Sequence, residues 1–293
     1  MSRLLYLGSK LLHPKTDFRP KIVDTQKRVR GVLNGQYIFD TTRAKLVWEI
    51  PYFPQYWIHK DDFLQTASFK EDAPISGIQS STSKLTVGDK SIDSLLIPES
   101  YNTPLANYVK LEFKDLTWYE EQVQVFYHPK DPFHRIDILP SGRHVKVELA
   151  GKVLADTKSE GGVMSLWETN FPGRWYLPPT AVSWKYLKPS QTKTGCPYKG
   201  EASYYNAVVD GKTYNDVVWY YENPTNESGT IRGMVSGFRS TINLIEANSP
   251  QLCFYPDKVE TFVDNEPIAK IGMPPLSKSD KESVARPNSG CNC

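Results

Sequence analysis

The chain has 293 residues, 39% of them apolar, which is enough for two domains that each bury a core. Thirty-five basic and 33 acidic residues leave a formal charge of +2, with no long lysine or arginine run, so the electrostatic footprint of a duplex-binding protein is missing and no nucleic-acid partner is expected. Four cysteines (Cys196, Cys253, Cys291, Cys293) do not resemble a secreted disulfide lattice, and no window is apolar enough for a membrane span; the expectation is a soluble, cytoplasmic protein.

Residues 1–26 read as an N-terminal arm. Its opening is broken by Gly8, Ser9, Lys10 and His13, with no small-residue cleavage site behind them, so it does not read as a signal peptide. A first domain is expected over 27–140. In "RVRGVLNGQYIFDT" apolar and polar residues alternate on both sides of Asn34-Gly35, the pattern of strand, two-residue turn and strand. Residues 65–106, rich in Ser, Thr, Pro and Gly, read as an inserted loop.

The same pattern then returns in "HVKVELAGKVLADT", the start of a second domain expected over 143–267. Gly35 aligns with Gly151, Asp40-Thr41 with Asp156-Thr157, Trp48-Glu49 with Trp167-Glu168, and Tyr56-Trp57-Ile58 with Trp175-Tyr176-Leu177. Two later landmarks, Trp118-Tyr119-Glu120 beside Trp219-Tyr220-Tyr221-Glu222 and "VFYHP" beside "CFYP", extend the match. The chain is a tandem duplication. Further strands are expected at "SWKYL", "SYYNAVV", "KTYNDVVWYY" and "ETFVD", and 22 prolines argue against long helices. "VSGFRSTINLIEA" (235–247) fits both the helical and the strand period, and residues 274–293 have no apolar face and read as a disordered tail. The fold class is mainly β: two tandem copies of a small antiparallel sheet domain, tent-like or open-barrel.

The ordered pieces "ADT", "LWET", "RWYLPP", "GCPYKGEASYY" and "VVWYY" resemble the family catalogued as domain of unknown function 427, sometimes filed under a nucleotidyltransferase-like name. The two-copy arrangement is similar to its fungal members. The resemblance covers residues 143–266 well and implies a compact β domain with an enclosed pocket, but no established activity. The first copy lacks the Cys-Pro-Tyr-Lys-Gly run, so its site is expected to be degenerate.

Gly195 and Gly200 have the spacing of a phosphate-binding loop, but Glu201 and Ala202 stand where Lys and Ser or Thr are needed. Paired metal-binding carboxylates are absent from the second copy, no Cys-x-x-Cys knuckle exists, and the histidines are scattered; neither a metal nor another cofactor is expected. Cys196 beside Lys199 is a candidate lowered-pKa thiol or a small buried hydrophobe. Lys199 is a candidate anion-binding group, acid or base, against a solvated turn lysine or ion pair. Glu168 is a candidate proton carrier whose pKa burial would raise, against a structural carboxylate paired with Lys199 or Arg174. Tyr176, Tyr198, Tyr204 and Trp219, with Arg174, are candidate pocket walls, against ordinary core aromatics. The Cys-Asn-Cys end matches a prenylation signal only superficially.

Three functions follow as expectations. The first is an enzyme that isomerises, cyclises or hydrates a small organic metabolite by acid–base chemistry, with Lys199 polarising it and Glu168 moving the proton. The second is a non-catalytic small-ligand-binding module, and the third an interaction protein using the 65–106 loop. Substrate and oligomeric state are not encoded legibly.

Overall fold

A computed structural model describes residues 21–50, 53–74, 81–158, 162–232, 251–255 and 257–268. Contacts divide the chain into two compact units, Met1–Asp131 and Pro132–Cys293. Segments 1–20, 235–247 and 274–293, about which the sequence raised expectations, lie outside the described residues.

The first unit contains β1 (Lys21–Asp24), β2 (Val29–Leu33), β3 (Gln36–Thr41), β4 (Lys45–Ile50), β5 (Phe53–His59), β6 (Ser68–Pro74), β7 (Ser81–Val87), β8 (Lys90–Leu96), β9 (Tyr108–Leu111), β10 (Thr117–Glu120) and β11 (Val123–Val125). The second contains β12 (Ile136–Ser141), β13 (Val145–Leu149), β14 (Lys152–Asp156), β15 (Val163–Glu168), β16 (Arg174–Leu177), β17 (Leu187–Cys196), β18 (Gly200–Val209), β19 (Lys212–Tyr221), β20 (Leu252–Phe254), β21 (Glu260–Val263) and β22 (Glu266–Pro267). The helical turns among the described residues are short 3-10 segments.

Each unit has a seven-stranded and a four-stranded antiparallel sheet. The large sheets run β1-β4-β5-β9-β8-β7-β6 and β12-β15-β16-β20-β19-β18-β17; the small ones run β11-β10-β2-β3 and β14-β13-β21-β22. The two orders superimpose strand for strand, so the duplication is shown by topology, and among the described residues no sheet closes into a barrel. Period-two sequence is the cause. Along β13 the burial alternates, with Val145, Val147 and Leu149 inward, and β7 does the same. Asn34-Gly35 and Ala150-Gly151 both have positive φ at each residue (52° and 72°, 49° and 73°), the backbone a two-residue hairpin turn requires.

One cross-strand pair shows how the copies trade volume. Gly31 faces Phe39 in the first unit, and Val147 faces Ala155 at the same register of the second. A Cβ on Gly31 would lie 2.2 Å from Phe39 Cζ, so the large ring depends on the missing side chain opposite.

Three expectations are corrected. Residues 65–106 are not an inserted loop, because they contain β6, β7 and β8, three strands of the large sheet. The first domain begins by Lys21, where β1 pairs with β4, and β12 belongs to the second unit through its pairing with β15. The late landmarks were false matches. Trp118-Tyr119-Glu120 lies in β10, whose counterpart is β21 rather than β19, and the strand holding Cys253-Phe254 corresponds to β9.

The large sheets bury both faces. One face packs the core against the small sheet, through Val145, Leu177 and Phe254 in the second unit. The other carries a second cluster, with Leu166, Tyr176, Ala202, Tyr204, Trp219, Tyr221, Ile231 and Cys253. Its counterpart in the first unit includes Val47, Trp57, Leu95 and Ile97.

Candidate functional site

Glu168 ends β15 on this second face, two residues beyond Leu166. Lys199 reaches it from the tight β17–β18 turn, Nζ to Oε2 2.7 Å, and His134 reaches it from just before β12, Nε2 to Oε1 2.9 Å. Glu168 is 7% exposed and Lys199 5%. His134 is fixed by its neighbour, since Arg135 N–H donates to Thr169 Oγ1 (2.9 Å) and Thr169 N–H donates to the Arg135 carbonyl (3.0 Å). Its ring packs on Tyr198 at 4.3 Å between centroids.

Burial pushes the Glu168 carboxyl up, but the His134 hydrogen bond and the Lys199 ammonium outweigh it and hold the group below its ordinary range. This reverses the expected direction. Glu168 is a carboxylate near neutral pH and can only accept, so Nε2 of His134 donates to it and Nδ1 is the ring nitrogen turned away from the carboxylate. Cys196 is also corrected. It is 3% exposed, and burial raises its pKa more than Lys199 lowers it, so it is a thiol rather than an activated thiolate.

The aromatic candidates form a row across the sheet. Register places Tyr204 beside Trp219, Trp219 beside Cys253, Cys253 beside Tyr176 and Tyr176 beside Met164. The Tyr176 hydroxyl accepts from Trp219 Nε1 at 3.1 Å, and burial raises its pKa well above normal, so it stays a neutral phenol. The Tyr204 hydroxyl lies 2.6 Å from Thr194 Oγ1 and 3.3 Å from the Tyr255 hydroxyl. Arg174 faces Leu166 in the ladder, yet its Nη1 donates to the Pro172 carbonyl at 3.1 Å. The structure therefore brings together Glu168, Lys199 and Tyr198, adds His134, and sets Tyr176, Trp219 and Tyr204 on the same face.

The turn bearing Lys199 is locked by a strap, residues 222–231. Thr225 Oγ1 and Ser228 Oγ (3.1 Å) both donate to the Tyr198 carbonyl, and Thr225 N–H donates to the Lys199 carbonyl at 3.1 Å. Gly200 has φ +105°, and a Cβ there would lie 3.0 Å from the Asn223 carbonyl oxygen, so both the turn and the strap's approach need glycine. A cavity of about 30 Å³, room for one water, lies instead among Val145, Trp175, Leu177, Phe254 and Thr261 on the core side. Among the described residues no three His, Cys, Asp or Glu side chains converge as metal ligands.

The first unit repeats the carboxylate with different partners. Glu49 Oε2 receives Lys110 Nζ at 2.5 Å and Oε1 receives Trp57 Nε1 at 3.2 Å. Lys110 stands opposite Trp57, as Cys253 stands opposite Tyr176, so the lysine occupies the Cys253 position and not that of Lys199.

The family described as Domain of unknown function (DUF427) matches the chain twice, over residues 21–129 and 137–248. The chain belongs to this family. No curated protein matches it. The two matches cover β4 and β15, which hold the same place in the two sheet orders, so Glu49 and Glu168 are equivalent positions of the repeat. Sequence reasoning passed over His134, which lies 34 residues from Glu168 with nothing local to connect them. The one available signal was Tyr198 beside Lys199, an aromatic in need of a packing partner.

Proposed function

We propose that the second unit performs acid–base chemistry on a small organic molecule, an isomerisation, cyclisation or hydration, with His134 moving the proton. The observation that carries this reading is the chain Lys199–Glu168–His134. A carboxylate kept ionised by an ammonium orients an imidazole and fixes its tautomer, the arrangement by which a neutral histidine becomes a directed base. Lys199 then faces whatever anionic or carbonyl group approaches, and Tyr176, Tyr204 and Trp219 supply an apolar wall with phenol hydroxyls. Glu168 orients and does not itself carry the proton, which revises the role expected from sequence.

The test is turnover of a panel of small carbonyl and carboxylate compounds, read by mass spectrometry. His134→Asn and Lys199→Met each lower the rate of any reaction found by about 100-fold or more. Undiminished turnover in a folded His134→Asn protein defeats the proposal. A non-catalytic binding module is favoured by one observation, that each Glu168 oxygen already accepts from a protein donor, and would reveal itself as ligand retention without product. The interaction reading rested on an exposed loop at 65–106, where the structure has strands β6 to β8.

A further inference from the structure

We infer that the strap at 222–231 is a gate, latched on the Tyr198 carbonyl, which opens as a local unit to give access to Glu168, Lys199 and Cys196. The strap is held by polar contacts. Between Glu222 and Thr230 only Ser228 is buried, and it is a hydroxyl rather than an apolar anchor. Ile231, fully buried in the second-face cluster, fixes the far end, and Tyr221, the last residue of β19, fixes the near end. Two 3-10 turns meet at Ser228, whose φ of −112° and ψ of 19° are non-helical, so the segment already has a joint at its latch. A segment with two buried ends, few apolar contacts and a hydrogen-bonded middle opens at far lower cost than the sheet beneath it.

The latch also reaches the proposed chemistry. Thr225 and Ser228 grip the carbonyl of the residue whose ring supports His134, and Thr225 N–H grips the next carbonyl, that of Lys199. The corresponding β8–β9 connection of the first unit also has a buried apolar anchor, Leu105, which is 2% exposed and packs in the cluster with Trp57.

Native-state thiol labelling tests this without any substrate, so its outcome is separate from that of the acid–base reading. The full chain carries Cys291→Ser and Cys293→Ser, leaving Cys196, paired with Gly200 at the base of the turn that the strap grips, and Cys253, on the central strand β20, neither of them in a disulfide. Iodoacetamide labelling is followed by mass spectrometry. Cys196 is expected to react faster than Cys253. Thr225→Val with Ser228→Ala raises the Cys196 rate about tenfold or more, since two hydrogen bonds are lost, and leaves that of Cys253 unchanged. Thr225→Ser, which keeps the hydroxyl, leaves the Cys196 rate at the parent value. If the two cysteines react at one common rate and accelerate together in the variants, the strap is a structural staple that opens only with the whole unit, and the inference is overturned.

Discussion

Glu49 and Glu168 stand at equivalent positions near the end of β4 and β15, each facing the second cluster of a seven-stranded sheet, and each is neutralised by a lysine. The lysines come from different places. Lys110 lies within the sheet on β9, between Leu95 and Trp57, and the Trp57 indole completes the carboxylate. Lys199 comes from a turn, and a histidine takes the place of the indole. The requirement common to both units is compensation of a buried charge, which either lysine meets. That requirement explains the Glu–Lys pair but not His134, nor why position 253 holds a small thiol. What differs between the copies is therefore a better guide to function than what they share.

The largest effect should come from taking each lysine away. Lys110→Met leaves Glu49, with its side chain 1% exposed, facing only an indole N–H, and should cost the first unit about 3–5 kcal/mol in urea unfolding. Lys199→Met leaves Glu168 hydrogen-bonded to an imidazole, a stronger donor to a carboxylate than an indole, so the loss in the second unit should be smaller, about 1–3 kcal/mol. Equal losses would mean that His134 gives Glu168 no electrostatic cover. The pH dependence sharpens the contrast. Since the Glu168 carboxyl is held below its ordinary value of about 4.3, its stabilising contribution is fully present above that pH and disappears as pH falls through the lower folded value. Wild type should lose melting temperature between pH 5 and 3, and Glu168→Gln should lose less over the same interval; parallel curves would contradict the depressed pKa.

A smaller effect follows from the exchange of Gly31 and Phe39 for Val147 and Ala155. Gly31→Val should destabilise the first unit by about 1–3 kcal/mol through overpacking. Adding Phe39→Ala should then cost less than the same change made alone, although Phe39 also contacts the rings of Phe63 and Trp118. A double-mutant cycle should show coupling above about 1 kcal/mol, and additive losses would mean that the pair is not compensating.

The fold was legible because alternation and two-residue turns are local. "VKVEL" and "NG" announce a strand and a turn without reference to the rest of the chain. The strands at 68–96 were missed for a physical reason. They are built with serine and threonine that the sheet itself satisfies, as where Ser83 and Ser94, both buried, share a hydrogen bond of 2.7 Å, and composition reads such residues as loop. The pairing of Lys199 with Glu168 was within reach because few other groups of opposite charge were available nearby in the motif. His134 and the depressed pKa of Glu168 were not, since both depend on what packs against the carboxylate from the segment leading into β12, whose membership in the second unit the sequence did not reveal.

The smallest effect is expected at the paired hairpin turns. Both first turn residues adopt a left-handed backbone, Asn34 at φ 52° and Ala150 at φ 49°. An L-residue with a Cβ pays about 1–2 kcal/mol there unless its side chain helps, and asparagine helps where alanine has nothing to offer. In the first unit Asn34 Nδ2 donates to the Val87 carbonyl at 3.1 Å and to Asp89 Oδ1 at 2.9 Å, so its stabilisation has two sources. Ala150→Asn tests the backbone source alone and should stabilise the second unit by about 0.5–1 kcal/mol. Asn34→Ala removes both sources and should cost more than Ala150→Asn gains. If Ala150→Asn leaves the unfolding midpoint unmoved, the left-handed alanine is not strained, and the tolerance of this turn must come from the strands that it joins.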